Sequence, residues 1–342
     1  MNRRPDCPTN KPVSSLMLRL GLAFLISLAS LTVYANGQTQ TDNSAAHAPI
    51  RVTHILGFEN ARRNVSGELS VNDGELRFTP DGALPSQLSA ASILSISLGE
   101  QDKQVGGVPM MLGKAALPYG GGRVISLFSH KKYDSVALEY VDDRGGLHGV
   151  VFRLPKGKAE GFRSTLIAER AHVTQSAVQN SVNERVPTQN WSVQVDRVDP
   201  AATTLDSCFS NAIYEDVVRQ LNESKQFDDV FRSGDRDANS ASAILILKVK
   251  VEKYSPGSET RRAVTTVSGA TKIKVRIQLV APNGQVVLER TAAGDVRFMG
   301  DNLKAAEKVA KNTAKLLKRS TLPTPATLTA ERPAPTETIA TK

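Results

Sequence analysis

Ser66-Gly67-Glu68-Leu69-Ser70-Val71-Asn72-Asp73-Gly74-Glu75-Leu76-Arg77-Phe78 holds two short alternating runs on either side of Asn72-Asp73-Gly74. Asn, Asp and Gly tolerate positive φ, so the stretch predicts a β-hairpin closed by a tight turn. The signals downstream are of the same kind. Residues 93–98 read as a strand, and residues 123–128 as another after the Gly120-Gly121-Gly122 run. A second hairpin pairs residues 135–141 with 147–154 across Asp142-Asp143-Arg144-Gly145-Gly146. Over residues 156–171 the period lengthens, and Ala159, Phe162, Leu166 and Ile167 mark the apolar stripe of a helix.

Antiparallel strands followed by one helix resemble the bacterial members of the pleckstrin-homology-like superfamily. The resemblance rests on Leu76-Arg77-Phe78, the strand at Ile93 and the run from Tyr133 to Leu154. It implies an antiparallel β-barrel over residues 51–172, capped by its helix and offering a docking groove for protein or peptide. Headgroup binding in that superfamily uses basic residues around the first hairpin. Here Asn72-Asp73-Gly74 stands in their place, which argues against phosphoinositide recognition.

Residues 173–190 are polar and read as a linker. Beyond them Trp191-Ser192-Val193-Gln194-Val195 alternates as a half-buried strand does, and residues 205–221 carry a broad apolar helical face. Val230-Phe231 is a short strand. A long hairpin joins residues 243–254 to 264–280 through Ser255-Pro256-Gly257, Asn283-Gly284 turns into residues 286–290, and a last helix covers residues 302–319. The fold class is therefore α+β: the barrel, then a domain over residues 191–319 with an antiparallel sheet and two helices. This second half resembles a family of secreted bacterial α/β domains of unknown function. More distantly it is similar to the curli secretion lipoprotein and the N-terminal domain of the Tol-system propeller protein. Its residues are the 227–231 segment, residues 244–254 with Pro256-Gly257, Gly269, and Asn283-Gly284 before Val286. The resemblance implies scaffolding or assembly in the envelope and no catalytic residue.

The N-terminus supplies an address. Met17-Leu18-Arg19-Leu20 leads into an apolar run over residues 21–34, ending at Val33-Tyr34-Ala35 before polar Asn36-Gly37-Gln38. Basic residues, a short hydrophobic run and small residues at its end describe a secretory signal over residues 1–35. The alternative is retention as an inner-membrane anchor. Cys7 precedes the hydrophobic run and cannot be the acylated cysteine of a lipoprotein. Cleavage after Ala35 removes four cations and one carboxylate, lowering the formal charge of the 342-residue chain from +9 to +6. Cys208 is then a lone thiol, so stability must come from packed cores. Residues 36–50 form a flexible spacer, and the Pro- and Thr-rich stretch over residues 320–342 a disordered tail.

Catalytic constellations are absent from the sequence pattern. The histidines at 47, 54, 130, 148 and 172 lack metal-ligand spacing, and no metal or other cofactor is expected. His130 and His148 would meet only if their strands were neighbours. Cys208 sits in an apolar helical face and reads as core, Asp142-Asp143 belong to a turn, and Gly120-Gly121-Gly122-Arg123 precedes a strand where a phosphate loop needs a helix.

The functional hint is cationic. In Lys272-Ile273-Lys274-Val275-Arg276-Ile277 the period of two puts three cations on one face, and Lys248 and Lys250 do the same on the partner strand. Like charges across a sheet repel, so an anionic partner or interleaved carboxylates should offset them. Lys304, Lys308, Lys311, Lys315 and Lys318 form a stripe on the last helix. The expectation is a secreted, periplasmic, non-enzymatic binding or scaffolding protein that contacts envelope proteins, anionic lipid or polysaccharide through these residues. Nucleic acid is not expected outside the cell. The rival readings are a periplasmic hydrolase of envelope polymers, with a site involving His130, His148 or an Asp, and a membrane-tethered assembly factor.

Overall fold

Alternation in the hairpin at residues 66–78 gives two neighbouring strands near one edge of a seven-stranded sheet. The computed structural model describes residues 48–99, 133–172, 190–201, 203–258, 269–297 and 301–325. The signal over residues 1–35, the rest of the spacer to residue 47, the strand at 123–128 with its preceding glycines, His130, residues 173–189 of the linker and the tail beyond residue 325 lie outside the described residues. All the described residues belong to one unit, Ser44–Lys342.

The first sheet comprises β1 (Ile50–Leu56), β2 (Val65–Asn72), β3 (Glu75–Pro80), β4 (Ser86–Ser89), β5 (Ile93–Gly99), β6 (Tyr133–Val141) and β7 (Leu147–Pro155), all antiparallel and ordered β4-β3-β2-β1-β7-β6-β5. At the first turn Asn72 pairs with Glu75, with Asp73 at φ 52° and Gly74 at φ 72°, the backbone that a two-residue hairpin of matching twist requires. Leu69, Val71, Leu76 and Phe78 point inward with Phe58, Tyr140 and Phe152. Helix α1 (Ala159–His172) lays Ala159, Phe162 and Leu166 over this core, and its Glu169 accepts a hydrogen bond from the Gly74 N–H at 2.9 Å.

The expected barrel is an open sheet. No ladder joins β4 to β5 among the described residues. The chain passes from one to the other through a single 3₁₀ turn, Ala90–Ser92, capped by the Ser89 hydroxyl. Four residues of β4 followed at once by that turn leave the two edges consecutive in sequence rather than hydrogen-bonded.

His54 occupies the centre of the first core, its ring centroid 5.5 Å from Phe78 and 5.6 Å from Phe152. Its Nδ1 lies 2.8 Å from the Arg62 carbonyl oxygen, and its Nε2 accepts the Phe58 N–H at 3.1 Å. Both bonds form only with a neutral ring protonated at Nδ1. Burial lowers its pKa from 6.5, outweighing the carbonyls of Arg62 and Leu56 that act the other way. The unfolded chain takes up a proton near 6.5 while the folded chain resists it. Stability is therefore full above that pH and declines below it, by at most about 1.4 kcal/mol per pH unit. Urea midpoints at descending pH should fall in wild type and fall less in His54→Gln; equal slopes would assign the acid sensitivity elsewhere.

The second sheet comprises β8 (Ser192–Val195), β9 (Val230–Phe231), β10 (Ile244–Ser255), β11 (Thr271–Val280) and β12 (Val286–Val296), ordered β12-β11-β10-β8-β9. The β10 to β12 meander is antiparallel as expected, but β8 pairs in parallel with both β10 and β9. The reason is the helix between β8 and β9, α2 (Ser207–Ser224). A strand that returns after a helical crossover runs parallel to the strand it left. β11 begins at Thr271, and residues 259–268 lie outside the described residues.

Leu245, Leu247, Val249 and Val251 of β10 and Ile273, Val275, Ile277 and Leu279 of β11 face α2 and α3 (Lys304–Arg319). Each such side chain contributes about 1.5–3 kcal/mol of burial. Helix α2 has no solvated face of the ordinary kind. Its apolar side joins the second core, while Asn211, Glu215 and Asp216 are buried against the first sheet. Asn211 Nδ2 donates to the Leu138 carbonyl at 3.1 Å, and Glu215 accepts the Gly149 N–H at 2.8 Å. Asp216 pairs with Arg63, and Arg153 of β7 pairs with Asp301 before α3. The layers run from the second sheet through α2 and α3 to the first sheet, with α1 over the first core.

Candidate functional site

Two places in the fold gather chemistry-bearing side chains. The first is the face of the second sheet turned away from α2 and α3. Lys250 lies opposite Arg276, Lys248 opposite Gln278, and Lys272 opposite Ser255, so Lys248, Lys250, Lys272, Lys274 and Arg276 share one exposed face. Alternation along β10 puts Glu252 among them, and a register shift between Val251 and Lys253 turns Lys253 to the same side, opposite Lys274. The Glu252 carboxylate lies 2.8 Å from both Lys274 Nζ and Arg276 Nε, and those hydrogen bonds hold it below the usual carboxylate range. Arg276 also reaches Glu289 at 3.3 Å, and Lys250 reaches Asp199 at 3.7 Å. Repulsion along the face is thus offset in part by interleaved carboxylates. Among the described residues Lys248 and Lys272 have no ion pair.

The helical stripe lies behind the same sheet and meets this face at its edge. Lys308 Nζ is 3.1 Å from Asp295 of β12, whose register partner is Lys272, and Asn312 Nδ2 donates to the Ala293 carbonyl at 2.7 Å. Arg297 pairs with Asp295 as well. The β12 edge therefore joins the sheet cations to Lys304, Lys308, Lys311 and Lys315, which the sequence placed on separate elements. Lys311 pairs with Glu307 at 2.7 Å, while Lys304 and Lys315 have no ion pair among the described residues. Charges here also block edge-to-edge pairing of β12 with another strand.

The second place is the junction of β6, β7 and α2. Asp142, at the end of β6, accepts the Arg144 and Gly146 N–H groups on Oδ1 at 2.9 and 2.8 Å, and Oδ2 lies 3.0 Å from His148 Nε2. Burial pushes the Asp142 carboxyl up, but the bonds from His148 and from those two amides outweigh it and bring its pKa to about 2. The His148 ring is 1% exposed and stacks on Tyr140 with centroids 4.7 Å apart. Glu59, in the connection after β1, brings Oε1 to 3.5 Å from the same Nε2. Sequence spacing could not find this trio, because its members are separated by up to 89 positions and meet only through the β1–β7–β6 ladders.

His148 also lines a cavity of about 270 Å³ with Glu139, Arg197, Ser207, Ser210, Asn211 and Tyr214. Among the described residues no hydroxyl or thiol hydrogen-bonds to the imidazole, whose Nδ1 is buried without a partner. The base and orienting carboxylate that a hydrolase would use are therefore side by side, but no nucleophile is engaged with them. Cys208 is buried in α2, and burial first, then the nearby Asp206 carboxylate, keeps its thiol protonated.

No protein-family model and no curated protein matches the chain. Among solved structures, it is similar at 18% identity to the PelC dodecamer from Paraburkholderia phytofirmans, over 38% of this chain and 90% of that one, with a TM-score of 0.27. A “putative lipoprotein” from Caulobacter crescentus CB15 is similar at 13% identity over 41% of this chain and 93% of that one, with a TM-score of 0.22. Scores this low support no inference about fold or function. Among the described residues no helix is long and apolar enough to cross a membrane.

Proposed function

We propose that this is an exported, non-catalytic binding or scaffolding protein of the bacterial envelope, with its anion-contacting surface on the second sheet and around its β12 edge. The observation that carries the reading is the convergence at Asp295, whose carboxylate pairs with Arg297 and Lys308 and whose register neighbour on β11 is Lys272, so that the sheet cations run into the α3 stripe. Export rests on the leader sequence. The large exposed hydrophobics, Leu84, Leu94, Ile167 and Val286, are not interleaved with the sheet cations, so the surface suits charged headgroups or acidic polysaccharide at contact rather than insertion among lipid chains. The first sheet, open rather than closed but covered by α1 as the resemblance to pleckstrin-homology-like domains implies, would serve as a docking module beside it.

Replacing Lys272, Lys274 and Arg276 together with Gln tests the proposal. All three are exposed and their ion pairs contribute little to stability, so the urea midpoint should stay close to that of wild type. Co-sedimentation with envelope fractions at low salt should drop several-fold. Undiminished co-sedimentation would remove the cationic surface from the account.

A further inference from the structure

The geometry points to a divalent-cation site of the zinc class formed by Glu59, Asp142 and His148, independent of the cationic surface. One atom from each, His148 Nε2 and one oxygen of each carboxylate, lie within 4.8 Å of one another. Donors at the ~2.0–2.1 Å bond lengths of tetrahedral zinc stand roughly 3.3 Å apart, and the imidazole nitrogen here is 3.0 Å from Asp142 Oδ2 and 3.5 Å from Glu59 Oε1.

Two carboxylates crowd one nitrogen in this arrangement. A single Nε2–H can satisfy one of them, Glu59 lies beyond hydrogen-bond range, and the two negative groups repel. A dication bound to the Nε2 lone pair would neutralise both. The ligands are already held in place: backbone amides fix Asp142 through Oδ1 and leave Oδ2 free, and Tyr140 fixes the plane of the imidazole. With Nε2 on the ion the ring proton moves to Nδ1, and the cavity that His148 lines, with Ser207, Ser210 and Asn211 on its wall, has room for a water to accept that hydrogen bond. Burial grades from His148 through Asp142 to exposed Glu59, so the fourth coordination position faces solvent.

One imidazole with two carboxylates favours zinc over the all-oxygen sets of calcium and magnesium and over thiolate-seeking Cu(I). Arg144 opposes binding, since its guanidinium stands 3.8 Å from Asp142 Oδ2 and must swing into solvent. A bound ion would tie the connection after β1 to the β6–β7 hairpin.

Titration of the full-length chain with ZnCl2 by calorimetry, alongside thermal unfolding, tests the site. The expected result is one ion bound per chain, a zinc-dependent rise in unfolding temperature, and no response to MgCl2. Glu59→Gln alters only an exposed side chain and should fold normally, yet bind zinc at least tenfold more weakly and lose the thermal shift. Arg144→Gln should bind more tightly than wild type. Absence of stoichiometric binding at micromolar zinc, or wild-type affinity in Glu59→Gln, would overturn the site.

Discussion

Replacing Arg232 with Met is expected to destabilise the protein by about 3–5 kcal/mol, the cost of leaving a buried charge without its partner. The guanidinium, beside β9, grips Glu215 of α2 through two bonds of 2.7 and 2.9 Å and also donates to the Leu147 carbonyl of β7 at 3.0 Å. Glu215 in turn accepts the Gly149 N–H of β7. Arg232 beside β9 and the Gly149 N–H of β7 thus place three hydrogen bonds on one carboxylate whose side chain is 9% exposed. Removing Arg232 alone strands that charge. The double variant Arg232→Met with Glu215→Gln keeps an acceptor for Gly149 while removing the charge, and should recover more than half of the loss. Urea denaturation of the single and double variants measures both; a double variant no better than the single would show that shape rather than charge is at stake.

Gly57→Ala should be nearly as damaging. A Cβ at this position would come 1.7 Å from the Gly149 carbonyl oxygen and 2.8 Å from its carbon, backbone atoms that no rotamer change can move. Gly57 also sits at φ +92°, which costs a side-chain-bearing residue further strain. Overpacking and backbone strain contribute about 1–3 kcal/mol each. Gly82→Ala separates the two, because Gly82 has φ +71° with no heavy atom within 4 Å of the added Cβ. The Gly82 variant should lose only the strain component. Equal urea midpoints for the two variants would mean that β1 and β7 yield to the clash.

The elements were mostly legible because their signals are local. Asn72-Asp73-Gly74 and Asn283-Gly284 announce their turns, and alternation along Lys272 to Ile277 puts the aliphatics inward and the cations outward, as the sheet does. What sequence could not disclose is long-range. Asn211, Glu215 and Asp216 look like the wet side of an amphipathic helix, yet the first sheet and the connection after β1 cover them and supply Leu138, Gly149 and Arg63 as partners. His148 looks like a strand-end histidine until the ladders bring Asp142 and Glu59 to it. The parallel pairing of β8 was hidden for the same reason, since Trp191 to Val195 alternates equally well in either direction. In the basic surface, the period of two that names Lys248 and Lys250 also puts Glu252 on their face, but the register shift that turns Lys253 outward opposite Lys274 was not legible.

Binding of the purified chain to vesicles containing phosphatidylglycerol, followed across a series of salt concentrations, tests the central claim most directly. The wild type should bind at low salt and weaken steeply as salt rises, while the Lys272, Lys274 and Arg276 to Gln variant, equally stable to urea, should bind several-fold more weakly with a shallower salt dependence. Wild-type affinity and wild-type salt dependence in that variant, for these vesicles and for an acidic polysaccharide alike, would contradict the account.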